Sequence, residues 1–240
     1  MPPVEHCSIL SRTPSLQQAC ALLRYGYPDL PCKEQTHGQP FRSAAQVITD
    51  TLAQKTMEEL SGIPKKKIVL LMPWRAGLAF AESFRKQGID RFYHISARRN
   101  EETLQTIVDY EEGDILPQDT VIIADPMLAT GNTVLDSVKR IEEKDIPSDR
   151  TVVVSLIAAP EGIAAVQNHS AAIRILLGVL DEKLDDKGFI VPGLGDFGDK
   201  YFADMNAKET DIFLQELQLP KKAKEKLRQR FALRAEDFQK

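Results

Sequence analysis

Val121-Ile122-Ile123-Ala124-Asp125-Pro126-Met127-Leu128-Ala129-Thr130-Gly131-Asn132-Thr133, running on into Val134-Leu135-Asp136-Ser137-Val138-Lys139-Arg140-Ile141, is the stretch that decides the fold. It opens on a short β-branched apolar run, the pattern of a strand buried in a sheet. Asp125-Pro126 stops that strand, because proline fixes its own φ and has no N–H to give to a ladder. Val134, Leu135, Val138 and Ile141 then recur at helical spacing, and Thr133 is placed to cap that helix. A strand, a turn of small residues and a helix N-terminus make an anion site, since free backbone N–H groups and the helix dipole face one point. Thr130 and Thr133 add hydroxyl donors, and Gly131 lets the backbone come close to a ligand. Asp125 stands at the strand's C-terminal end, where open α/β sheets bind ligands, and its carboxylate suits sugar hydroxyls or Mg²⁺. An ordinary βα turn with a capped helix fits the same residues, so both readings stand on this pattern alone.

The same alternation extends outward. Strands are expected over 68–71, 92–95, 151–157 and 173–177, and the β-branched run of 151–157 suits a parallel strand buried on both faces. Helices are expected over 16–24, 41–60, 78–86 and 160–166. In the second of these Ala45, Val47, Ile48, Leu52 and Met57 form the apolar side. This order predicts an α/β fold, a mostly parallel sheet with helices on both faces. Arg75 follows the strand at 68–71 beside small residues, a position that suits an anion contact as well as a plain surface arginine. Trp74, the lone tryptophan, reads as core packing. Arg98-Arg99-Asn100-Glu101-Glu102-Thr103 and Glu111-Glu112-Gly113-Asp114 read as charged loops.

Composition bounds the class. The chain has 240 residues, 42% hydrophobic and 28% charged, ordinary values for one α/β domain with a small appendage. A net charge of −4 gives no reason to expect nucleic acid, and no apolar run approaches a membrane span. Cys7, Cys20 and Cys32 are widely spaced and read as free thiols, and the start at Met1-Pro2-Pro3 lacks the pattern of a signal peptide. The expectation is a cytoplasmic protein. The four histidines form no metal-ligand cluster, and neither a GxxxxGK[ST] loop nor a Ser/His/Asp constellation is present.

Asp125-Pro126-Met127-Leu128-Ala129-Thr130-Gly131 resembles the phosphoribosyl-diphosphate (PRPP) loop of uracil phosphoribosyltransferases. In the same chain order, Arg75-Ala76-Gly77-Leu78, Arg99-Asn100-Glu101-Glu102-Thr103-Leu104, Ala158-Ala159-Pro160-Glu161-Gly162-Ile163-Ala164-Ala165 and Gly188-Phe189-Ile190-Val191-Pro192-Gly193-Leu194-Gly195-Asp196 resemble that family too. The resemblance covers about residues 65 to 202 and implies a type I phosphoribosyltransferase-like fold. Residues 1–204 would form that domain, with 1–64 an N-terminal helical segment and 65–204 the core. Residues 205–240 would be a helical extension, its second helix basic and apolar at Leu227, Phe231 and Leu233.

The activity implied is Mg²⁺-assisted transfer of phosphoribose from PRPP to a pyrimidine, most naturally uracil, giving UMP and diphosphate. By the resemblance, Arg75, Arg99, Asp125, Pro126, Met127, Leu128, Ala129, Thr130, Gly131, Asn132, Thr133 and Asp196 meet PRPP. Asp125, Arg75 and Arg99 carry the chemistry, Ile190, Gly195, Asp196 and Phe197 meet the base, and no direct protein ligand to the metal is assigned. Gly193, Gly195 and Gly198 make a backbone-exposing loop whose N–H and C=O groups suit a flat pyrimidine edge. Three departures stand out. Asn132 replaces a second loop glycine, and asparagine is the non-glycine residue best suited to positive φ. Phe197 stands where the family usually has alanine, so its ring must turn away or reshape the pocket. Residues 61–67 are too short for the hairpin with which the family commonly embraces a partner subunit, so a homo-oligomer would need another geometry. The same departures admit a non-catalytic PRPP- or nucleotide-sensing protein, or transfer to a different base.

Overall fold

The computed structural model describes residues 6–10, 13–25, 37–99, 106–217 and 219–237. The chain divides into two compact units, Met1–Phe202 and Ala203–Lys240.

The sheet of the first unit is built around β5 (Thr120–Ala124), whose residues are all buried. Parallel neighbours flank it: β2 (Ile68–Pro73) on one side and β7 (Thr151–Ala158) on the other. Beyond β7 lies β8 (Arg174–Leu180), then β1 (Cys7–Ile9), both parallel. Beyond β2 lies β3 (Phe92–Arg99), parallel, then β4 (Thr106–Glu112), antiparallel. A short β6 (Met127–Leu128) also pairs with β7. The order is β1-β8-β7-β5-β2-β3-β4, so the chain steps in opposite directions from β2 and β5. Their carboxyl ends therefore form the crevice in which such sheets bind ligands.

Side chains alternate across the strands, and each face receives helices. Val69, Leu71, Val121, Ile123, Val153, Ile175 and Leu177 point to the side of α4 (Asn132–Glu142) and α5 (Pro160–His169), where Val134, Val138, Ile141, Ile163 and Val166 complete one core cluster. α2 (Gly38–Glu59) packs on β7 and β8 and carries α1 (Pro14–Tyr25) against itself, while α3 (Ala81–Lys86) lies by β2. The buried side of α2 is Phe41, Ala44, Ala45, Ile48, Thr49, Leu52, Ala53 and Thr56. Val47, assigned by periodicity to that side, is exposed at 43%, because one residue before Ile48 lies about a quarter-turn off the stripe.

Other expectations are corrected. The stretch at 111–114 is not all loop: β4 takes in Glu111 and Glu112, and β3 runs on through Arg98 and Arg99. A charged strand at a sheet edge needs no alternating apolar pattern, since one side of its ladder faces solvent. The helix expected over 78–86 is a 3₁₀ turn, Ala76–Phe80, followed by α3. Ser61 to Lys67 holds turns and a short 3₁₀ segment, with no hairpin. No helix among the described residues is long and apolar enough to cross a membrane.

The second unit contains α7 (Ala207–Glu216) and α8 (Lys221–Asp237). Asn206 and Glu209 form a reciprocal capping box at the start of α7. Pro220 precedes α8, and Arg228 pairs with Asp211 at 2.6 Å.

Candidate active site

Register brings the first two site segments together. Leu71 of β2 is level with Ile123 of β5, so Pro73 and Asp125 come level two residues on. Contact there is close enough to demand glycine: a Cβ on Gly77 would lie 2.7 Å from the Ala124 carbonyl oxygen. Arg75 thus follows the end of β2 by two residues at the mouth of the crevice, where Asp125 leaves β5.

The loop after β5 is held by backbone bonds to its neighbour. The Asp125 N–H donates to Val154 O at 3.1 Å, Leu156 and Ile157 N–H donate to Pro126 O, and Ala159 N–H donates to Leu128 O. Ser155 Oγ donates to Asp125 O at 2.5 Å. Gly131, at φ +84°, turns the chain into α4, which starts at Asn132. Gly131, not Thr133, is therefore the cap residue; Thr133 already lies in the first helical turn. Asn132 has negative φ, so the change from glycine there meets no left-handed backbone. The first turn of α5 braces this loop from behind, where a Cβ on Gly162 would lie 2.4 Å from Ala129 O and 2.6 Å from Leu128 O.

Asp125, Met127, Leu128, Ala129, Thr130, Gly131, Asn132, Thr133 and Val134 line a small open cleft of about 80 Å³. Pro126 lies behind it, buried, with its carbonyl turned to β7. Thr130, Asn132 and Thr133 are exposed at the rim. At the base of the cleft Asp125 is 9% exposed, and burial pushes its carboxyl up to about 6, against a smaller opposing pull from the Met127 N–H at 3.3 Å from Oδ1. Such a group accepts hydrogen bonds from hydroxyls when ionised, in a site where each bond counts for more than in water.

The second loop closes on both of these segments. β9 (Lys183–Leu184) and β10 (Ile190–Val191) form a small antiparallel ribbon, and α6 (Phe197–Phe202) follows. Gly188 faces the Thr130 methyl group, 3.6 Å from where its Cβ would be, and Leu184 N–H donates to Glu161 Oε1 at 3.0 Å. Gly193 and Gly195 take positive φ, whereas Gly198 belongs to α6 and not to the loop. Ile190 is buried, and Gly195 and Asp196 are exposed. Asp196 Oδ1 accepts the Asp199 N–H at 2.8 Å, and Asp199 pairs with Arg75 at 2.8 Å. Arg75 also lies over the Phe202 ring, 5.8 Å from its centroid.

Phe197 settles against the body of the unit. It is 1% exposed, edge to face with Phe41 at 5.2 Å and stacked with Tyr201 at 5.4 Å. Its ring turns away from the loop surface, leaving the backbone of Gly195 and Asp196 on the open side. Trp74 is core, as expected: it stacks on Tyr110 at 4.8 Å and donates from Nε1 to His94 Nδ1 at 3.1 Å.

Arg99 ends β3 opposite Thr106; its side chain and residues 100–105 lie outside the described residues, as does Cys32. Asp199, Glu161 and Asp181 were not among the expected site residues. Asp199 sits three positions after Asp196 in a Gly-Asp-Phe-Gly-Asp run, and that repeat is the signal that could have found it.

A mostly parallel sheet with a glycine turn between β5 and the N-terminus of α4, and an arginine and a glycine loop at its carboxyl edge, is the architecture of a phosphoribosyltransferase-like protein. The uracil phosphoribosyltransferase family model matches residues 33–203, and the chain belongs to that family. It is 36% identical over 174 residues to the uracil phosphoribosyltransferase of Shouchella clausii, covering 70% of this chain and 78% of that one. It is 36% identical over 142 residues to that of Nicotiana tabacum, covering 58% of this chain and 63% of that one, less than two thirds of the relative's length. Among solved structures, the AQ2163 protein of Aquifex aeolicus superimposes with a TM-score of 0.66 at 27% identity, covering 82% of this chain and 98% of that one.

Proposed function

We propose that this protein transfers phosphoribose from PRPP to uracil, releasing UMP and diphosphate. The observation that carries the reading is the cradle of Ala129–Thr133 at the α4 N-terminus, with Asp125 lining the same cleft and Arg75 following the neighbouring strand β2. Backbone N–H groups and the hydroxyls of Thr130 and Thr133 suit the 5-phosphate. Asp125 suits the ribose hydroxyls, and Arg75, with Arg99, the diphosphate, whose charge grows as it leaves. The backbone of Gly195 to Phe197, beside Ile190, suits a pyrimidine edge, and Asp196 lies where the loop turns toward Arg75. Positioning and electrostatics then carry the reaction with no protein nucleophile.

The residues present fit Mg²⁺ held largely by substrate. The Asp125 carboxylate lines the cleft, and this cation commonly takes one or two carboxylates plus phosphate oxygens. Asp125 is the carboxylate placed to support it, and bound to the diphosphate the metal would neutralise charge on the leaving group. Residues 1–204 would form the transferase domain and 205–240 an extension, in a cytoplasmic homo-oligomer.

The test is UMP formation from labelled uracil, PRPP and Mg²⁺, with Asp125→Asn as matched control. Turnover that collapses in the variant supports the reading. PRPP binding without turnover on uracil would overturn uracil transfer in favour of a PRPP sensor or a different base, and absence of both would overturn the site.

A further inference from the structure

We propose that Arg24 is a positioning residue for the base-binding loop, acting through the buried carboxylate of Asp181. The inference rests on the reading of residues 190–197 as that loop. Asp181 follows β8 directly, and its own backbone is fixed by N–H donation to Ala158 O at 2.9 Å. Both carboxylate oxygens are engaged. Oδ2 accepts the Gly193 N–H at 2.8 Å, and Oδ1 accepts from Arg24 Nη2. The side chains are 3% and 14% exposed for Asp181 and Arg24 respectively, so this is a largely desolvated ion pair.

The bond to Gly193 acts at the tightest point of the loop. Gly193 has φ +62°, and a Cβ there would lie 2.1 Å from Ile190 O. One carboxylate oxygen thus holds the turn that sets Ile190 on one side and Gly195-Asp196 on the other. Arg24 comes from α1, before the residues that the family model matches. Leu16, Ala19 and Leu23 seat that helix in the core, and α1 packs on α2, so the guanidinium is delivered from a fixed base. A buried carboxylate that loses its counter-charge is strongly destabilised. Its remedy is to reach water, and the Gly193 turn must open with it. Among the described residues, the hydrogen bonds of the pair run to each other and to Gly193, not to the cradle residues Ala129–Thr133, so the effect falls on the base more than on PRPP.

The experiment compares Arg24→Met and Arg24→Lys with the wild type, varying uracil and PRPP separately and following amide hydrogen exchange over 186–196. For Arg24→Met the KM for uracil should rise on the order of tenfold, as expected when a contact is misplaced at a distance, with the KM for PRPP within about twofold. Exchange over 186–196 should quicken while β5 is unchanged, and Arg24→Lys should recover most of both effects. Equal rises in both KM values, or unchanged exchange, would overturn the proposal. A wild type that forms no UMP sinks the activity assignment instead, and the exchange data then decide the linkage alone. Should Arg24→Met fail to fold, Asp181→Asn, which keeps an acceptor for Gly193 but removes the charge, carries the same comparison.

Discussion

The ring of Phe197 meets that of Phe41 edge to face, with centroids 5.2 Å apart and planes at 65°. The loop that would hold the base is thereby anchored to the N-terminal turn of α2. Phe197→Ala should open a cavity between α2 and α6 and cost about 3–5 kcal/mol, read by urea unfolding. It should bring no gain in uracil turnover, because the ring does not occupy the loop's open side. Higher turnover at unchanged stability would show that the ring does block the site.

Asp125 makes stability depend on pH in an unusual direction. Its folded carboxyl lies near 6, above the ordinary 3.8, so the folded state holds the proton more tightly. That contribution is complete below the lower value and is lost as pH rises through the upper one. Asp125→Asn should therefore be the more stable protein above about pH 6, by about 3 kcal/mol, and approach the wild type below about pH 4. Urea titrations in metal-free buffer check this, and a gap that does not widen with pH contradicts it.

His94 works the other way. Burial lowers it to about 4 from the ordinary 6.5, and Trp74 already donates to its Nδ1. The folded state then binds this proton more weakly than the unfolded chain. Stability from this group is present above 6.5 and lost as pH falls toward 4. His94→Gln should flatten that acid limb by up to about 3 kcal/mol. An imidazole signal titrating near its ordinary value in the native protein would contradict the assignment.

Gly162→Ala tests the brace behind the phosphate loop. A methyl group 2.4 Å from Ala129 O must push either the loop or α5 aside. A shift of the cradle by about 1 Å should weaken PRPP use by up to about a hundredfold, with a stability loss of about 1–3 kcal/mol. Trp74, the lone tryptophan and the neighbour of Arg75, supplies the fluorescence readout for the PRPP titration. An unchanged titration would show that the loop absorbs the extra atom.

What the sequence made legible was what is local. The β5–loop–α4 unit is read from one stretch because its strand, turn glycine and helical stripe are contiguous; the cap lies two positions earlier than expected, at Gly131 and not Thr133, and the two-residue β6 left no pattern to read. β4 escaped because Asp109, Glu111 and Glu112 hide an edge strand among charges. β1 escaped because three residues carry no period to read. The direction of the Phe197 ring depends on Phe41 and Tyr201, and the Arg24–Asp181 pair joins residues 157 positions apart. Neither leaves a trace in spacing.

Among the described residues the sheet is bounded by β1 and β4. A three-residue strand offers little ladder to extend, and the other border strand carries charged side chains at Asp109, Glu111 and Glu112, a feature that disfavours edge pairing. Crowding the native protein should not seed fibrils from either border.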